Sequence, residues 1–133
     1  MLATVDGELA GHASVVQRQL VAGPRTVRAG YVEAVATAAS LRRRGVGSAV
    51  MTEVERLVTG GSELGALSAS EDGRGLYAAR GWAPWTGPLA ALTLDGVVPT
   101  PAAEVLVLPT PATPPGLDTG TRLVCDLRRG APW

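Results

Sequence analysis

The stretch Arg42-Arg43-Arg44-Gly45-Val46-Gly47-Ser48 joins an alternating apolar run (Tyr31 to Thr37) to a segment with helical periodicity (Ser48 to Val58). A glycine-rich bend that presents backbone N–H groups together with a helix N-terminus is a ready anion site. A phosphate, a pyrophosphate or a carboxylate would each suit it. Spacing removes two common assignments. A nucleoside-triphosphate loop needs Lys followed by Ser or Thr after its last glycine, and the chain has no lysine. A dinucleotide fingerprint needs a third glycine and follows a first strand, whereas Val50 stands here. What remains is R-x-x-G-x-G opening a helix.

A second element follows at Leu76-Tyr77-Ala78-Ala79-Arg80-Gly81-Trp82, which reads as the end of a short helix. Gly81 is placed there as the left-handed cap, with an aromatic residue entering the next strand. The two motifs, in this order and at this distance, resemble the Gcn5-related N-acetyltransferase (GNAT) superfamily. Gly30-Tyr31-Val32-Glu33-Ala34-Val35-Ala36, Leu64-Gly65-Ala66-Leu67-Ser68-Ala69-Ser70, Ala83-Pro84-Trp85 after the second motif, and Cys125-Asp126-Leu127-Arg128 look like segments of one branch, the aminoglycoside 2′-N-acetyltransferases. Gly11-His12-Ala13 through Gln17-Arg18 fits as well, so the resemblance runs over almost the whole chain.

The resemblance implies acetyl transfer from acetyl-coenzyme A to the 2′-amine of an aminoglycoside, directly within a ternary complex, and with it antibiotic resistance. Such a reaction needs the acceptor amine neutral and the leaving thiolate protonated or stabilised. Glu33 is the matching carboxylate, as a base acting through water or an anchor for a substrate ammonium; its plain alternative is a salt-bridged strand carboxylate. Tyr77 matches the general acid toward the coenzyme A sulfur, and otherwise is a core tyrosine packed on the sheet. The backbone of Val35, Ala36 and Thr37 is expected to pair with the pantetheine arm. The turn through Arg42, Arg43, Arg44, Gly45, Val46 and Gly47 is expected to hold the pyrophosphate, helped by the helix dipole. Ser48 either supplies a hydroxyl or caps the helix. Acceptor contacts are implied at Glu33, Ala34, Ser68, Glu104 and the C-terminal carboxylate of Trp133.

Three departures from that pattern stand out. Ala131 sits where an acid is expected, Glu104 where an aspartate is, and the strand and two helices that open the family's fold have no recognisable counterpart in these residues. Residues 1–133 are therefore expected to form a single GNAT domain, shortened at its N-terminus. Family members are commonly homodimers. Two other readings remain open: an acetyltransferase acting on another amine (a polyamine, a cell-wall amino sugar or a peptide), and a non-catalytic domain that binds coenzyme A or only oligomerises.

Composition bounds these readings. The 133 residues suffice for one core, and the net charge of zero argues against nucleic-acid binding by a basic surface. Between Gly45 and Thr121 eight acids face three bases, which suits a cationic partner or simply a solvated surface. The single cysteine, Cys125, allows no disulfide within the chain and falls in an apolar run, where a packed thiol is expected. His12 is the only histidine, and no cluster has metal-ligand spacing, so no metal is expected. No signal peptide, lipidation motif or membrane-spanning apolar run is read in these residues, and a cytoplasmic enzyme is expected.

These groups need a scaffold. Strands are predicted over Leu2 to Val5 and Leu9 to Gln19, joined by a type I′ turn at Asp6-Gly7. A strand over Thr26 to Thr37 puts Tyr31, Glu33 and Val35 on one face and Val32, Ala34 and Ala36 on the other. A helix follows from Gly45 to Val58, its apolar side formed by Val46, Val50, Val54 and Leu57, and ended by Gly60-Gly61. Then come a strand over Leu64 to Ser70 and a helix over Glu71 to Arg80. Trp82 to Trp85 and Leu89 to Leu94 are predicted as a hairpin around Gly87-Pro88. Strands over Glu104 to Leu108 and Thr121 to Leu127 complete an α+β domain with a mixed, mostly antiparallel sheet flanked by helices.

Overall fold

The structure, a computed structural model, describes residues 2–5, 8–37 and 45–133. Two long strands dominate it: β2 (Glu8–Ala22) and β3 (Arg25–Thr37) run antiparallel across the Gly23-Pro24 turn. β1 (Leu2–Val5) pairs with the start of β2. The turn expected at Asp6-Gly7 lies outside the described residues. Helix α1 (Val46–Gly61) crosses to β4 (Leu64–Ser68), and a 3-10 turn at Glu71–Gly73 leads into the short α2 (Arg74–Ala79). β5 (Ala83–Pro84), β6 (Leu89–Thr93), β7 (Gly96–Pro99), β8 (Val105–Pro109) and β9 (Leu123–Cys125) follow.

Among the described residues these strands make one sheet, in the order β5-β8-β4-β3-β2-β9-β6-β7 with β1 on β2. Only β3–β4 and β6–β9 are parallel, so the sheet is mixed and mostly antiparallel, as expected. One face packs on α1 through Val32 and Leu67 against Val46, Val50, Met51, Val54 and Val58. The other carries Leu20, Val27, Tyr31, Leu64, Ala66, Trp85, Val107 and Leu123. Cys125 belongs to this second core at 1% exposure, and burial pushes its thiol pKa up.

Three elements differ from their sequence reading. Helix α1 continues through Gly60 and Gly61 to a cap at Ser62, and its buried stripe is centred on Val54. Met51 and Val58 complete that stripe, while Leu57 stays at the rim, 44% exposed. The predicted hairpin around Gly87-Pro88 does not form. β5 pairs with β8 instead, and β6 makes its hairpin with β7 across Leu94-Asp95. The reason is a stronger partner for the connecting segment. Trp85 Nε1 donates to the Thr121 carbonyl at 2.9 Å, Gly87 N to Thr119 O at 2.9 Å, and Leu123 N to Pro88 O at 2.9 Å.

The third difference lies in β3. Ser14 stands opposite Glu33 and His12 opposite Ala36, so Ala34 and Val35 together face Ala13. This bulge shifts the alternation by one residue. Val35 consequently packs with Val32 against the α1 face and not beside Tyr31 and Glu33.

Candidate active site

The bulge sits where two strands part. β3 and β4 are paired only from Ala29–Leu64 to Val32–Leu67. Beyond that rung β4 ends at Ser68, and Ala69 N turns to the Glu104 carbonyl at 2.8 Å. β3 runs on to Thr37, held on its other edge by β2 through His12–Ala36 and Gly11–Thr37. Among the described residues no strand covers the edge that β3 turns toward β4 after Val32. A cleft of about 390 Å³ opens at this fork. It joins the two faces of the sheet, because Val35, Leu67 and Tyr77 line it from the α1 side while Tyr31, Glu33, Arg128 and Trp133 line it from the other.

Tyr77 reaches the cleft from α2, 7% exposed, with its ring edge-on to Trp82 at 6.3 Å between centroids. Gly81, at φ 89°, ends this helix in the left-handed conformation expected of it. Burial raises the Tyr77 pKa above its ordinary value, so the phenol keeps its proton at neutral pH. The helix is locked to α1 by Arg80. Its Nε and Nη2 bond both oxygens of Glu55 at 2.8 Å, its Nη1 bonds Ser48 Oγ at 2.8 Å, and its Nη2 also reaches Thr52 Oγ1 at 2.7 Å. Trp82 Nε1 adds a bond to Glu55 at 3.0 Å. Ser48 is thus an acceptor for Arg80, and α1 is capped by Gly45 at φ 79°, without a side-chain cap. Removing the guanidinium strands a largely buried carboxylate. Arg80→Met is expected to lower stability by about 2 kcal/mol, and a shift in the urea midpoint at unchanged slope would report it.

On the opposite face Glu33 Oε1 accepts a hydrogen bond from Arg128 Nη1 at 2.6 Å. That contact raises the Arg128 pKa further. Next to it Arg18, 2% exposed, donates through Nε to Asp126 Oδ1 at 2.8 Å and lies 4.6 Å from the Tyr31 ring centroid. The Tyr31 hydroxyl is buried with no hydrogen-bond partner among the described residues, and burial pushes its pKa up to about 12.

Five residues singled out in the sequence, Glu33, Val35, Ser68, Tyr77 and Trp133, line one cleft. Ala34 lies in the bulge, and Ala36 and Thr37 extend along the uncovered edge. Gly45, Val46 and Gly47 form the start of α1, while Arg42, Arg43 and Arg44 lie outside the described residues. Glu104 does not line the cleft; its carboxylate pairs with Arg74. Arg18, Arg80 and Arg128 escaped sequence reasoning. For Arg80 a signal existed, since Ser48, Thr52 and Glu55 recur at i, i+4 and i+7 as a polar stripe that wants a partner.

No group of three His, Cys, Asp or Glu placed to hold a metal ion occurs among the described residues. No helix among them is long and apolar enough to cross a membrane. Residues 1–85 match the family model described as an acetyltransferase (GNAT) domain. An aminoglycoside 2′-N-acetyltransferase from Mycolicibacterium fortuitum is 46% identical over 131 residues, covering 96% of this chain and 67% of the relative. Among solved structures, a GCN5-related N-acetyltransferase from Kribbella flavida superposes with a TM-score of 0.56 at 28% identity over 63% of this chain. Eis1 from Mycobacterium abscessus gives 0.56 at 27% identity over 65%. This chain spans only 21% and 22% of the lengths of those two proteins.

Proposed function

Because this chain belongs to the GNAT acetyltransferase family, we propose that it moves an acetyl group from acetyl-coenzyme A to the 2′-amine of an aminoglycoside, within one ternary complex. The observation that carries the reading is the fork itself, with Tyr77 on one side of the opened sheet and Glu33 on the other. Coenzyme A would supply the activated acetyl thioester. The uncovered edge of β3 at 35–37 offers backbone groups to an extended amide-bearing arm, as an added strand would use them. Gly45 and Gly47 at the start of α1 offer N–H groups and the positive end of the helix to phosphate oxygens.

The residues then divide the proton work. Glu33 holds the acceptor amine and takes up its proton, directly or through water. Tyr77, kept protonated by burial, hands a proton to the departing thiolate from the other face. Ser68 and Trp133 wall the acceptor side. Mass spectrometry of tobramycin incubated with the protein and acetyl-coenzyme A tests this reading, with kanamycin A, which carries a 2′-hydroxyl, as control. One added acetyl on tobramycin alone is the expected result. Acetylation of both compounds would move the reaction to another amine, and of neither would leave a coenzyme A-binding domain.

A further inference from the structure

The carboxylate at the centre of the acceptor side already has a cation on it. Arg128 Nη1 donates to Glu33 Oε1 at 2.6 Å, and both side chains are 31% exposed, so the contact is reached by solvent and by ligands. A guanidinium does not give up its proton in a protein, and Glu33 raises its pKa further. An amine entering the cleft therefore meets a carboxylate that is already neutralised. It must displace Arg128 or bind without Glu33.

The surroundings allow displacement. Arg128 lines the cleft and also a neighbouring hollow of about 460 Å³, on whose wall stand Asp95 and Asp126. Asp126 is fixed by Arg18 Nε at 2.8 Å and by Gln19 N at 3.3 Å, and its charge acts favourably on Arg128. The guanidinium thus feels Glu33 in the cleft and Asp126 beyond it. Leaving Glu33 does not leave it without an anion.

From this arrangement, which rests on the reading above, we infer that Arg128 is an internal stand-in for the acceptor's ammonium and sets a charge threshold for acceptors. Exchanging one cation on Glu33 for another gains little. A mono-ammonium sugar therefore binds poorly, because the exchange only offsets itself and the entropy of binding is left uncompensated. A polyammonium acceptor keeps further charges for the other polar groups of the cleft, Ser68 and Ser70 among them, and these make displacement favourable. Arg128 on this view imposes one competitive penalty on every amine, which only an acceptor with further charges outweighs.

The test is calorimetric titration of the full chain with tobramycin and with glucosamine, for the parent, Arg128→Met, Arg128→Gln and Arg128→Met/Glu33→Gln. Removing the competitor should tighten glucosamine roughly fivefold, the scale of a partly exposed ion pair, and should tighten tobramycin by a similar factor, because both amines displace the same cation. Adding Glu33→Gln should cancel the gain. Two Arg128 variants guard against one that folds badly. Weaker binding of both amines would mean that Arg128 merely holds Glu33 in place, and would overturn the inference even if tobramycin is acetylated. Conversely, a Glu33-dependent gain in a protein that acetylates nothing would sink the transferase reading and leave the inference standing. No binding of either amine to any form would overturn the inference too.

Discussion

Gly87→Ala is expected to melt roughly 10 °C or more below the parent protein, on the scaling of a few degrees per kcal/mol for a domain of this size. A Cβ at position 87 would lie 1.8 Å from the Thr121 carbonyl oxygen and 2.5 Å from its carbon. Those atoms are backbone and have no rotamer to move into. The same oxygen accepts Trp85 Nε1, and the neighbouring bonds from Thr86 and Gly87 to Thr119 O and from Leu123 to Pro88 O tie this segment to β9. A methyl group here separates the two strands of chain and costs about 3 kcal/mol or more, the upper range of overpacking. Gly60→Ala is the control of opposite sign. Gly60 lies within α1, nothing stands within 4 Å of its added Cβ, and the change should stabilise by about 0.5–1 kcal/mol. Thermal denaturation followed by circular dichroism reads both. A Gly87→Ala protein melting within two or three degrees of the parent, as an order-of-magnitude bound on the same scaling, would show that the close approach does not exist.

Tyr77→Phe is expected to lower turnover by about 100-fold, the lower end of what a positioned general acid contributes, with coenzyme A affinity nearly unchanged. The ring is 7% exposed and packs edge-on to Trp82, and phenylalanine keeps that contact and loses only the hydroxyl. The pH dependence has a definite sign. Burial raises the Tyr77 pKa above its ordinary value of 10.0, so the acid form persists as pH rises, and its loss falls above pH 10. Turnover should accordingly show no alkaline limb from this residue between about pH 7 and 9. An equal fall in turnover and cofactor affinity would mean that the phenol supports packing and gives no proton.

Much of this was legible in the chain because periodicity and motif agree there. β3, α1, β4 and α2 each carry a local pattern long enough to declare itself, and those four elements hold Glu33, Ser68 and Tyr77. The bulge at Ala34 and Val35 was not legible, because strict alternation is the only rule a strand pattern offers and a bulge breaks it. The side of the sheet taken by Val35 was misassigned for that reason. β5 has two residues, and its pairing with β8, continued by Trp85 N to Val105 O, joins segments some twenty residues apart, while Trp85 and Gly87 hold the next segment to Thr119–Thr121. Glu33 and Arg128 are 95 positions apart, and no spacing rule joins them. Charge pairs closed by tertiary folding leave no local trace.

The position of β9 in the sheet has a consequence for how the molecule is made. Although it is the last strand in sequence, its three residues lie in the interior, between β2 and β6, and no other strand bridges those two among the described residues. On a ribosome, where chains lengthen from the N-terminus, the β2 edge and the β6–β7 hairpin must wait unjoined until residues 123–125 have emerged. During that interval both present unpaired backbone, with Leu92, Val97 and Val98 exposed on the hairpin. Arg128 and Trp133 follow within eight residues of β9, so their wall of the cleft is built in the same event that joins β2 to β6. The cleft therefore has its full set of walls only after β9 has joined the sheet.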